Sequence, residues 1–231
     1  MGLKVDSEAL PPAVIQAVQN GTVNLDDPTV TRLLLKLKAV LGVVGFFNTD
    51  GTLRSVGLAC AVCHSTVDNS VASSIGRRID GVANRDLNVG AIAASAPNLQ
   101  PVVDLLRLAN PAITANQVRA VLNSWGPGKF DAELFLDGKA FNPQQVTNGI
   151  VTGTNVPGAT LLPNARGLSG HNLHTWTGDW GTVTYWNAFV AVNELHGKGT
   201  FFDERFDNPA SSRLRPKQNL VMFQQIRTVT G

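Results

Sequence analysis

The stretch Val56-Gly57-Leu58-Ala59-Cys60-Ala61-Val62-Cys63-His64 decides how this chain of 231 residues is to be understood. Cys60 and Cys63 are its only cysteines, and His64 follows the second directly. A Cys-x-x-Cys-His run is the attachment pattern of haem c. Two thiols three residues apart on one helical turn reach the two vinyl groups of a porphyrin, and the adjacent imidazole turns onto the iron as proximal ligand. The expected cofactor is therefore haem c with its iron, held by Cys60, Cys63 and His64. Three other uses of the pair compete. A thioredoxin-like redox pair wants a strand and then a long helix around it. Half of a zinc site wants a second cysteine pair, and the other histidines follow at wide spacing. A disulfide between cysteines on adjacent turns constrains almost nothing. Gly57, Ala59 and Ala61 are small, which suits close approach of the backbone to a porphyrin plane.

Upstream of the motif, residues 11–20 read as a short helix with Pro11 and Pro12 in its first turn and Gly21 past its end. Asp27 caps a second helix that has Pro28 at its first position. Val30, Leu33, Leu34, Leu37, Val40 and Leu41 follow the helical period, so this helix is expected to run to near Gly42. Phe46, Phe47 and Leu53 flank an Asp50-Gly51 turn in an extended segment. Downstream, 75–96 is rich in Gly, Ala, Asn and Asp and reads as ordered loop with short helical turns. Leu99–Leu108 is amphipathic, Thr114 caps a helix through Leu122, and 142–160 reads as a long surface loop. Thr182–His196 is the clearest late helix, stopped by Gly197. Residues 203–219 are charged with two prolines, and a short helical piece from Asn219 to Ile226 follows. There is no internal repeat.

Composition bounds the function. Hydrophobic residues make up 43% of the chain, which marks it as globular. A net charge of +2, scattered along the sequence, is too weak to suggest a nucleic-acid or anionic-membrane binder. No apolar run approaches the roughly 20 residues of a membrane span; the longest, Leu33 to Val44, is broken by Lys36 and Lys38. The start, Met-Gly-Leu-Lys-Val-Asp-Ser, has no apolar signal region. Haem is usually joined to thiols outside the cytoplasm. The expected location is thus periplasmic or otherwise exported, with the export signal already removed.

The motif has company. Asp50-Gly51-Thr52-Leu53-Arg54-Ser55 leading into Cys60, and His64-Ser65-Thr66-Val67-Asp68 after it, resemble the N-terminal haem domain of bacterial di-haem c-type cytochromes. That group is related to di-haem cytochrome c peroxidases. Ala83-Asn84-Arg85-Asp86-Leu87-Asn88, Ser124-Trp125-Gly126-Pro127-Gly128, Asn172-Leu173-His174-Thr175-Trp176 and Glu194-Leu195-His196-Gly197 are similar to it as well. Together with the helix count, the resemblance implies a mostly α fold: a cytochrome c-like haem domain with additional helices and long loops. Residues 1–212 would form the c-type cytochrome domain. Residues 213–231 would be a C-terminal tail or a linker to a missing second domain.

Members of the group carry a second Cys-x-x-Cys-His, and this chain has no third cysteine. It is either the first domain of a longer protein or a single-haem relative. Peroxidase chemistry in the group implies two cooperating haems. An electron-transfer haem protein is therefore expected ahead of the alternative, the haem domain of a di-haem peroxidase-like oxidoreductase. The implied partner is a redox protein or a second haem domain.

A low-spin haem needs a sixth ligand. Where relatives offer Met, this chain has Leu195, and its one internal methionine, Met222, lies in the tail. His174, enclosed by Leu173 and Trp176, is the leading candidate. His196 at a helix end follows, with His171, Met222 or an open site after them. Arg77, Arg78 and Arg85 could pair with haem propionates or form a solvated turn. Trp125, Trp176, Trp180 and Trp186 read as core packing ahead of an electron path.

Overall fold

The computed structural model describes residues 1–107, 111–130, 159–168, 170–173, 178 and 181–195. The chain divides into two compact units. One comprises Met1–Leu87 and Leu162–Gly167, the other Asn88–Leu161 and Leu168–Gly231.

The first unit begins with strand β1 (Val5–Asp6), which pairs in parallel with β5 (Ile75–Gly76). Helix α1 (Pro12–Gln19) has Pro12 at its first position. Helix α2 (Pro28–Lys36) is capped by the Asp27 carboxylate, which accepts the Thr29 amide at 2.7 Å. It stops well short of Gly42. Lys38 takes a left-handed φ of 57°. Beyond it the backbone bonds to the N-terminal strand: the Asp6 amide donates to Ala39 and the Leu41 amide to Lys4, both at 2.8 Å. Ala39, Val40 and Leu41 are buried, as their apolar pattern demanded, but as extended chain. Strands β2 (Val43–Phe47) and β3 (Leu53–Leu58) form an antiparallel hairpin around the Asp50-Gly51 turn. A single helical turn, α3 (Ala61–His64), follows. Strand β4 (Ser65–Val67) leaves it and pairs antiparallel with β6 (Arg78–Asp80). The core of this unit gathers Val5, Leu10, Leu34, Leu35, Ala39, Val40 and Ile75.

The second unit is helical at its centre. Helices α4 (Val89–Ala94), α5 (Gln100–Leu106) and α6 (Ala115–Ser124) surround a core that includes Leu99, Val103, Ile113, Val118, Val121 and Trp125. Thr114 and Gln117 form a reciprocal capping box at the start of α6. Gly90 of α4 lies against the Leu122 carbonyl, where a side chain would not fit. Strands β7 (Lys129–Phe130) and β8 (Thr160–Leu161) pair antiparallel. Helix α7 (Val183–Phe189), capped by Thr182, runs into a wider π turn at Val190–Glu194.

This architecture overturns the expected mostly α, cytochrome c-like fold. Among the described residues 36% are helical and 18% lie in strands, and the strands form four separate two-stranded sheets. The region expected as ordered loop with short helical turns, 75–96, holds strands β5 and β6 ahead of the short helix α4. The reason is local weakness of the signal. Strands of two or three residues show no alternation, and β1 finds its partner some seventy positions away. Among the described residues no helix is long and apolar enough to cross a membrane.

Candidate cofactor-attachment site

The motif folds as one turn of helix. The amides of Cys63 and His64 both bond to the Cys60 carbonyl, at 3.2 and 3.0 Å. At roughly 100° per residue, Cys60, Cys63 and His64 fall on one side of such a turn and Val62 on the other. Burial agrees with this division. Val62 is buried, Cys60 is exposed, and Cys63 and His64 are half-buried. The two thiols and the imidazole therefore share the open face. No disulfide joins the cysteines. Gly42, with φ of 70°, passes so close to the turn that a Cβ there would overlap the Val62 amide nitrogen. Its carbonyl accepts the Ala59 amide at 2.9 Å, which ties the base of the hairpin to the entry of the turn.

So short a helix leaves its last carbonyls without helical partners. The loop at 81–84 supplies them. The Asn84 amide donates to the Cys63 carbonyl and the Gly81 amide to that of His64, both at 2.8 Å. The Asn84 side-chain Nδ2 donates to Val62 at 3.3 Å and to Gly2 at 2.9 Å. Asn84 is only 1% exposed, so these bonds have little competition from water.

A segment from much later in the chain completes the surroundings. The His64 imidazole Nδ1 lies 2.9 Å from the Pro163 carbonyl oxygen. A carbonyl only accepts, so Nδ1 carries a proton, and in the neutral ring Nε2 then keeps its lone pair. That is the tautomer a metal-ligating histidine requires, and such a ligand is oriented by a bond from its other nitrogen. Among the described residues no group of three or more His, Cys, Asp or Glu side chains could hold a metal ion by itself. Cys60, Cys63 and His64 thus do not converge as a zinc site does. They are laid out side by side, which fits a group joined at two thiols and ligated at one imidazole.

The candidate propionate partners divide. Arg77 is exposed and pairs through Nε with the Asp68 carboxylate at 2.9 Å. Arg78 pairs with Asp80 at 2.6 Å. Ser65 and Arg78 hydrogen-bond to Asp80 and hold its carboxyl below the ordinary value. Arg85 is exposed and forms no ion pair among the described residues. His171 is exposed in the second unit, while His174, His196, Met222, Trp176, Trp180 and the tail 213–231 lie outside the described residues. Trp125 is a core residue of the second unit, packed edge-on against Phe130 with ring centroids 6.1 Å apart.

Sequence reasoning did not find Gly42, Asn84 or Pro163 as parts of the site. Gly42 shows in sequence only as a helix stop, and Asn84 as one polar residue in a loop. Pro163 lies 99 positions from His64, and no local pattern connects them. Compared with family models, with curated proteins and with solved structures, the chain matches none.

Proposed function

We propose that this chain is an electron-transfer protein carrying one haem c. Cys60 and Cys63 would each add their S–H across a porphyrin vinyl group to give two thioethers, and Nε2 of His64 would ligate the iron. The haem supplies a one-electron ferric–ferrous couple. The protein's own residues do the rest. Gly42 lets the hairpin approach the turn, Asn84 and Gly81 satisfy its carbonyls, and Pro163 fixes the imidazole proton on Nδ1. The observation that carries the reading is the His64–Pro163 bond beside two thiols on the same open face. A dithiol redox pair or a structural disulfide has no use for an imidazole with its lone pair held outward. From the sequence argument, His174 is the sixth ligand ahead of His196, the partner is a redox protein or a second haem domain, and the protein works outside the cytoplasm, where thioethers form.

The test is expression with export and haem-attachment machinery. The intact mass should exceed that of the polypeptide by one haem, and the pyridine haemochrome spectrum should be that of a two-thioether haem. Cys60→Ala/Cys63→Ala should make the haem extractable with acid acetone, and His64→Ala should abolish the low-spin spectrum. A wild-type mass with nothing added would overturn the reading.

A further inference from the structure

The Pro163 carbonyl cannot hold itself against His64. Proline has no N–H, so its own amide offers no anchor. Pro163 is also exposed, where water competes for both members of the bond. What fixes it is the rest of its segment. The Asn164 Oδ1 accepts the Ala83 amide at 2.9 Å. The Ala165 and Arg166 amides donate to the Gly81 carbonyl at 2.9 and 3.0 Å, and Arg166 Nε donates to the Asp80 carbonyl at 3.0 Å. Leu162, just before them, is buried. The same loop, 80–84, holds the other side: Gly81 and Asn84 donate to the carbonyls of His64 and Cys63. Motif turn and strap are both fastened to one short piece of backbone.

We propose that Asn164 and Arg166 are positioning residues for His64: by clamping Leu162–Gly167 to the 80–84 loop they set the imidazole tautomer and, through it, the electron donation of Nε2. Free neutral imidazole of histidine prefers its proton on Nε2, so an open strap would place the proton on the ligating nitrogen. The clamp reverses that preference before any ligand arrives. The consequence for an iron rests on the haem reading, whereas the tautomer does not. With iron bound, a proton held between Nδ1 and a carbonyl makes the ring a stronger donor and favours the ferric state. Loosening the clamp should therefore raise the potential.

The first arm uses the full chain without haem, labelled with 15N, well above the usual imidazole pKa of about 6.5. Two-bond 1H–15N correlations should show His64 with its proton on Nδ1. Asn164→Ala should move the ring to a mixture dominated by the Nε2–H form. Asn164→Asp, which keeps the acceptor oxygen, should restore the wild-type pattern. Should Asn164→Ala not fold, Arg166→Met, which keeps the stem and puts a methyl group where the Nε donor stood, carries the same measurement. The second arm measures the potential of the haem-loaded protein. Asn164→Ala should shift the ferrous-to-ferric ratio about tenfold toward ferrous, which is about 59 mV for one electron, with the added mass unchanged. A His64 ring that keeps Nδ1–H in both Asn164→Ala and Arg166→Met overturns the proposal. So does a potential that does not move while haem is attached. A tautomer that moves in a chain that never takes up haem keeps the clamp and removes the haem reading.

Discussion

Trp125 and Asn84 are each 1% exposed, and they are held in opposite ways. Trp125 sits among Leu99, Val103, Ile113, Val118 and Val121, and its indole Nε1 is buried without a hydrogen-bond partner among the described residues. Asn84 spends its amide group on the carbonyls of Gly2 and Val62, and its own backbone on Cys63. Trp125 is thus held by the apolar side chains around it, with its own donor unmet among the described residues. The motif turn, beside an apolar core of its own unit, is a set of backbone groups that must be answered one by one, because a single turn of helix cannot answer its own. Burial makes a place stable, whereas matched donors and acceptors make it particular.

The largest expected effect breaks the first half of that comparison. Trp125→Ala should cost about 3–5 kcal/mol in urea unfolding followed by far-UV circular dichroism. Trp125→Phe should cost less than half as much. It keeps most of the apolar contact and removes an unmet donor whose burial costs about 1–3 kcal/mol. If Phe is as damaging as Ala, the indole nitrogen has a partner after all and the contrast fails. Next in size is Asn84→Leu, which keeps the volume and removes the polar atoms. It should cost about 2–3 kcal/mol, because the Gly2 and Val62 carbonyls lose their donor in a buried place. A near-neutral Asn84→Leu would show that the surroundings of the motif turn, too, are held by shape.

The same division explains what could be read from the sequence. Local chemistry was legible: the Cys60–His64 turn, the Asp50-Gly51 hairpin turn, and the caps at Asp27 and Thr114 all stand where their residue types place them. Each depends on three or four neighbouring residues. Pairings between distant residues were not legible. The β1–β5 and β7–β8 sheets use two-residue strands, too short for any alternation to show, and their omission is why a mostly α fold was expected. The end of α2 was misplaced because Ala39, Val40 and Leu41 continue an apolar pattern that fits a helix and a buried extended strand alike. Arg77 looked available for a propionate because Asp68, nine positions earlier, gave no sign of claiming it. The His64–Pro163 bond lies beyond any local rule.

The smallest effect sharpens the second half of the comparison, since a loop held by bonds to a carboxylate should be sensitive to acid. Asp68 accepts the amides of Ser70 and Arg77 at 3.0 and 2.8 Å and the Arg77 guanidinium at 2.9 Å. The Ser70 hydroxyl first, and then the Arg77 side chain, hold its carboxyl well below the ordinary carboxylate range. A carboxyl depressed in the folded state contributes stability that is fully present above its unfolded value, about 3.9. That contribution is lost as pH falls below this value toward the folded one. Arg77 is largely exposed, so the contribution is modest and salt weakens it. Asp68→Asn should therefore lower the urea midpoint slightly near neutral pH. The gap to wild type should narrow from about pH 5 downward and close in strong acid. A gap that persists unchanged through that range would mean that Asn fails for its shape, and that the loop between β4 and β5 is held by fit rather than by charge.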